Sequence, residues 1–162
     1  MSGITNKNLE ILCKKYLNKN FLGVFPSDVS PNSKRKENSI VFNLSAHDEE
    51  GTHFVAVIKH INKIIYFDPF GKICNNEDII KYMKKYNLPI EFNETKIQSD
   101  TSSLCGYFCF YFLYNCFLQK KSLTFFIKKF SKNLILNDSK LMKYILNVIK
   151  KIKIAYVHFS SV

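Results

Sequence analysis

QSDTSSLCGYFCFYFL, residues 98–113, passes from a polar loop through a Cys-Gly pair into an almost unbroken apolar run. A helix that is apolar on every side is buried on every side, so the stretch predicts a core helix over 105–119 whose polar N-terminal end reaches water. Its longest uncharged apolar run, Leu104 to Leu118, has 15 residues, short of the ~20 that span a bilayer. A membrane-spanning role is therefore not expected of it.

Cys105 stands at the mouth of that helix. There the positive end of the helix macrodipole favours the thiolate, the nucleophilic form of the side chain. Gly106 beside it lacks a side chain that would obstruct an approaching substrate backbone. Cysteine is also among the most buried residue types, and that plain structural reading covers Cys109 and Cys116; Cys105 departs from it only if folding supplies partners.

Working outward, residues 6–18 place Leu9, Leu12 and Tyr16 at helical spacing behind a Thr5 cap. FLGVFPSDVSP follows, punctuated by Gly23, Pro26 and Pro31, and the charged NSKRKEN after it is expected to be an exposed loop. Segments 39–44, 53–60 and 63–70 are short, β-branched and aromatic, and predict neighbouring strands. The last two are apolar on both faces, which suits central positions covered by helices on each side. Residues 77–86 predict a helix with acids first and lysines last, 90–98 a further strand, and 122–132 and 138–152 two amphipathic helices. The class is α+β: one domain over 1–162, a small mixed, mostly antiparallel sheet flanked by helices, with the cysteine at the N-terminus of a buried helix.

Register arithmetic supplies a base. If Ile61-Asn62 forms a two-residue hairpin loop, His53 faces Phe70 directly and Asp68 diagonally, about 7–8 Å apart between backbones, a gap that a carboxylate and an imidazole can bridge. A slip of one residue would put them on opposite faces. Asp68 in this position would hold the imidazole in one tautomer. His47, His60 and His158 have no comparable acid on a neighbouring strand. Gln98, at a strand end seven residues before Cys105, suits a side-chain N–H donor to an oxyanion, alongside the Cys105 backbone N–H; a glutamine at a loop start is also commonly just exposed.

Composition agrees with a folded globular chain: 46% hydrophobic, 15% aromatic, 5 Gly and 4 Pro in 162 residues. Five cysteines, an odd number without CxxC pairs, point to free thiols in a reducing compartment rather than a disulfide framework or a zinc site. The N-terminus has no signal-peptide pattern, so an intracellular protein is expected. The charge of +11 is concentrated at the end, where residues 120–162 hold ten lysines against the single acid Asp138. That suits a polyanion-binding surface, and equally the solvated faces of amphipathic helices in a lysine- and asparagine-rich chain.

The order His53, Asp68, Gln98, Cys105-Gly106 resembles the adenovirus-type (adenain-like) cysteine maturation proteases of viruses, virophages and Polinton-type elements, which share a fold with the SUMO and ubiquitin-like-protein proteases. FLGVFP (21–26), GTHFVAVI (51–58), YFDPFG (66–71) and QSDTSSLCGYFCFYFL carry the likeness, which covers about residues 10–119. It implies a papain-like fold in which His53 is general base, Asp68 its orienter, Cys105 the nucleophile and Gln98 an oxyanion donor, with Gly51, Phe54 and Gly106 lining the substrate groove. Asp68 stands where adenoviral enzymes carry Glu, and Phe54 where tryptophan is usual. The implied function is a monomeric cysteine endopeptidase that processes viral capsid or precursor proteins in the virion and host-cell interior, in a cytoplasmic virus factory or the nucleus. No metal or organic cofactor is implied; DNA, through the lysine-rich end, or a peptide is the implied kind of activator. Two alternatives stand beside it: the same chemistry on a ubiquitin-like modifier, and a non-enzymatic basic nucleic-acid-binding protein. The roles of Cys13 and Cys74 are open.

Overall fold

A computed structural model describes residues 3–45 and 53–159, with the side chains of the final helix described to residue 150. Helix α1 (Asn6–Tyr16) starts where Thr5 Oγ1 accepts the Asn8 N–H at 3.2 Å, the predicted cap. Strands β1 (Phe21–Pro26), β2 (Asn38–Asn43), β3 (Phe54–Lys59), β4 (Ile64–Phe67) and β5 (Ile90–Phe92) form one sheet in the spatial order of the sequence, with helix α2 (Glu77–Lys84) between β4 and β5. Helix α3 (Cys105–Phe112), a π-helical continuation (Leu113–Leu118), α4 (Leu123–Ile127) and α5 (Leu134–Phe159) complete the chain.

β3 is the middle strand, and it and β2 are buried along nearly their whole length. Their alternate residues feed two cores. Val41, Ala56, Ile58, Ile65 and Phe67 pack with α1, α3 and α5, while Ile40, Phe42, Val57, Ile64 and Tyr66 pack against Ile79, Tyr82 and Met83 of α2. This two-sided cover explains the absence of polar alternation in these strands. On α3, Phe108, Phe110 and Phe112 are fully buried, each contributing about 1.5–3 kcal/mol relative to exposure. The helix without a polar face is thus the hydrophobic axle of the domain.

Two expectations are corrected. The sheet is evenly mixed rather than mostly antiparallel: β2–β3 and β3–β4 are antiparallel, but β1–β2 and β4–β5 are parallel. Residues 21–26, to which the sequence reading assigned no element, form β1. An edge strand tolerates Pro26 at its end, and Gly23, at φ +146°, sits where the register shifts and where a Cβ would come within 2.8 Å of the Phe25 ring. The strand expected over 90–98 stops at Phe92, because Asn93 turns its amide to another task.

Candidate active site

The hairpin register is the one the spacing predicts. Ala56 pairs with Phe67 and Lys59 with Ile64, and His60 N–H bonds Lys63 O at 2.9 Å around the Ile61-Asn62 loop. Continued outward, this pairing sets His53 opposite Phe70, and the two rings stack with centroids 4.8 Å apart and planes at 26°. Asp68, one step back, meets the imidazole diagonally: His53 Nε2 lies 2.9 Å from Asp68 Oδ1.

Asp68 is 2% exposed and its backbone is gripped from both sides. Asn93 Oδ1 accepts the Asp68 N–H at 2.8 Å, and Asn93 Nδ2 donates to the Asp68 carbonyl at 2.7 Å. The carboxylate also accepts the Phe70 N–H at 2.7 Å. A turn closes behind it, with Gly71 N–H on Asp68 O at 2.8 Å. Gly71 is at φ +66°, and a Cβ there would lie 2.6 Å from Lys96 N and 2.7 Å from Thr95 C, so this position requires glycine for both conformation and space. The next residue of the turn, Pro69, accepts N–H bonds from Ile97 at 2.9 Å and Gln98 at 3.2 Å. The segment carrying Asp68 is thereby bonded to the one carrying Gln98.

Cys105 opens α3 and is 8% exposed. Leu104 precedes it at the cap without a side-chain hydrogen bond, and the first amides of a helix so capped are able to face an anion. The thiol lies beside the His53 imidazole, near enough for its hydrogen bonding and charge to act on the ring; with Nε2 held by Asp68, Nδ1 is the nitrogen left for sulfur. Burial by itself pushes the imidazole toward the neutral form, but hydrogen bonds to Asp68 and Cys105 and their charges outweigh it, and the pKa is raised to about 9. The geometry favours a persistently charged imidazolium between a carboxylate and a sulfur.

Gln98 is fully buried, and its Nε2 donates to the Ser102 carbonyl at 2.7 Å; Oε1 has no partner among the described residues. The amide nitrogen carries a second hydrogen that this bond does not use. His53, Asp68 and Cys105 are therefore brought into direct contact, and Gln98 is tied to the loop that leads into Cys105.

The groove residues fare differently. Gly51, like His47, lies outside the described residues. Phe54 is 7% exposed and belongs to the core beneath α3. At Gly106 a Cβ would meet Ile4 Cγ2 at 2.5 Å, Leu9 Cδ2 at 3.1 Å and Phe54 Cδ2 at 3.2 Å. Its missing side chain admits the chain around α1, not an open groove; both residues are packing positions.

The other four cysteines are free and buried. Burial raises the pKa of Cys13, Cys74, Cys109 and Cys116, the last to about 12, so these thiols stay protonated and inert. Cys109 Sγ donates to Phe54 O at 3.4 Å. His60 has an acid partner that is not on a strand: Glu37, just before β2, lies 3.0 Å from its Nδ1 and also pairs with Lys120. That pair sits at the end of β3 away from Cys105. Among the described residues no three His, Cys, Asp or Glu side chains are grouped to hold a metal ion. The Asn93 clamp was not anticipated from sequence, its only sign being a weak strand former straight after IEF.

No family model and no curated protein matches the chain. Among solved structures, Chlamydia abortus effector protein ChlaDUB overlaps 71% of this chain and 57% of its own, at 17% identity and a TM-score of 0.48. ASFV pS273R protease overlaps 68% of this chain and 43% of its own, at 18% identity and a TM-score of 0.50. The chain thus spans less than two thirds of either. The fold, a five-stranded mixed sheet with helices on both faces, is shared with that viral protease over about two thirds of the present chain.

Proposed function

We propose that this chain is a cysteine endopeptidase with Cys105 as nucleophile. The observation that carries the reading is His53, bonded through Nε2 to a buried carboxylate and set beside a thiol at the N-terminus of a buried helix. The Cys105 thiolate attacks a peptide carbonyl carbon, forming the C–S bond as the carbonyl π pair moves onto oxygen. Gln98 and the first N–H groups of α3 receive that oxyanion. The C–N bond then breaks, and the leaving amine takes the proton from imidazolium His53, leaving a thioester. Water next attacks the thioester while His53 accepts its proton; the C–S bond breaks and the acid product leaves. Asp68 keeps the imidazole in one tautomer throughout and stabilises its charge. Nucleophile, acid and base all come from the chain.

The substrates in this reading are capsid or precursor proteins of a virus, virophage or Polinton-type element, cut within the virion or infected cell by a monomer. The lysine-rich end is the surface for DNA, which acts with or in place of an activating peptide. Support for these finer assignments is the motif order and the charge distribution.

The test is hydrolysis of a fluorogenic peptide with a Gly-Gly cleavage site, of a ubiquitin-like modifier fusion, and of both by the Cys105→Ala variant. Cleavage of the peptide, abolished by the variant and by iodoacetamide, is expected. Cleavage of the fusion alone would replace the substrate class, and cleavage that survives Cys105→Ala would refute the mechanism. Inert protein that binds DNA with a steep salt dependence would instead favour a nucleic-acid-binding role.

A further inference from the structure

Residues 97–104 carry Gln98 and deliver the Cys105 amide, yet they are irregular backbone. Donors aimed at an oxyanion act only when their positions are fixed beforehand, so the loop needs anchors from outside itself. One is Pro69, already described. The others come from two consecutive residues of α5, in the lysine-rich region beyond the family resemblance.

Asn137 is fully buried and donates Nδ2 to Ile97 O at 3.1 Å, while its Oδ1 accepts the Ser131 N–H at 2.9 Å. Asp138 lines one hollow with Ser99 and Ser102, and hydrogen bonding from the Ser99 backbone and the Ser102 side chain favours its charged form. Burial raises its carboxyl pKa, and those two interactions offset part of that rise. Its Oδ1 is buried and has no partner among the described residues. Ser102 passes the constraint on: its carbonyl accepts Gln98 Nε2 at 2.7 Å, and its Oγ accepts the Leu104 N–H at 3.3 Å. In a chain with 24 Lys and Arg residues, the one acid of the last quarter addresses this loop.

We propose that Asp138, acting through Ser102, is a positioning residue for the oxyanion donors Gln98 and Cys105 N–H, which makes the C-terminal helix part of the catalytic apparatus. This rests on the protease reading above. A helix that merely packed on the core would need only its apolar stripe, Leu141, Ile145 and Val148; the bonds from 137 and 138 reach the two ends of the loop segment that holds Gln98.

In the full chain, Asp138→Ala is expected to lower kcat roughly 100-fold, the size of effect that follows displacement of a reacting group by about 1 Å, with KM little changed. Asp138→Asn keeps an acceptor oxygen and is expected to retain most of the activity. In a Gln98→Ala background, Asp138→Ala is expected to cost clearly less than it does alone, since part of its action passes through that amide. Fully multiplicative losses, or a fall in thermal stability with kcat intact, would overturn the proposal; Ser102→Ala, which removes the hydroxyl and keeps the carbonyl that Gln98 uses, carries the same comparison if the alanine variant at 138 does not fold. Amide hydrogen exchange at Ser99 gives an arm independent of turnover. It is expected to accelerate in the variant while core amides of α5 stay protected, and unchanged Ser99 exchange refutes the clamp. Should wild-type protein cleave nothing, the protease reading falls by itself, and the exchange result still decides whether Asp138 holds the loop.

Discussion

Asp68→Asn tests the charge on His53. The wild-type imidazole is raised from 6.5 to about 9 although burial opposes this, a preference for the charged form worth ~3 kcal/mol. With a side chain only 13% exposed, the pair is weakly screened by solvent. Asparagine keeps the shape and an acceptor for the Phe70 N–H, but removes the negative charge 2.9 Å from Nε2. Burial then acts with less opposition, and the His53 pKa is expected to fall by about 1–3. Because the folded-state value is raised, the stabilisation from charging His53 is fully present below pH 6.5 and lost as pH rises through 9. Wild-type protein should therefore lose urea resistance across that window, and Asp68→Asn should lose much less over the same range. In activity, the basic limb of the kcat/KM profile, set by deprotonation of the imidazolium, should move to lower pH in the variant. The assays are NMR titration of labelled histidine, assigned with His53→Gln, and peptide hydrolysis across pH. An unchanged His53 titration in Asp68→Asn would refute the claim that the carboxylate holds the proton on the ring.

Cys105→Ala should abolish hydrolysis while leaving circular dichroism and melting temperature close to wild type, because the thiol lies at the edge of the core and its loss opens little space. Gln98→Ala should lower kcat by about 100- to 1000-fold, as loss of an oxyanion donor does, with KM changed far less; an effect confined to KM would remove Gln98 from the chemistry. Gly71→Ala should destabilise the fold by more than about 1 kcal/mol in urea titrations, since it meets both a positive φ and the backbone at Lys96. Its activity should fall with stability, because the same turn holds Asp68.

What the sequence made legible was whatever depends on period and parity. A two-residue loop at Ile61-Asn62 allows one pairing of the flanking strands in which His53 and Asp68 share a face, and the observed register is that one. The apolar run after Cys105 left a buried helix as the economical reading, though not its relaxation into a π-helix at Leu113, where the chain continues past α3 and Asn115 Nδ2 bonds Tyr111 O at 2.8 Å. Parallel pairing was harder to read. β1 and β5 join the sheet through connections that leave no local mark, and the glycine and proline of 21–26 are tolerated there because the strand is at the edge.

The site was legible in its chemical groups and not in its supports. A carboxylate, an imidazole and a thiol are rare and can be sought by type; Asn93 and Asn137 are two of sixteen asparagines, and nothing local distinguishes an amide that clamps a backbone from one that faces water. Gly106 shows the same limit in reverse: the neighbours that forbid a Cβ there are Ile4 and Leu9, about 100 residues earlier in the chain, so a packing requirement looked like access for substrate. Positioning contacts of this kind join segments far apart in sequence, and their geometry appears only after the sheet has set the distances. The reactive groups sit on regular elements whose phase the sequence encodes, while the residues that hold them in place are selected by the fold those elements make.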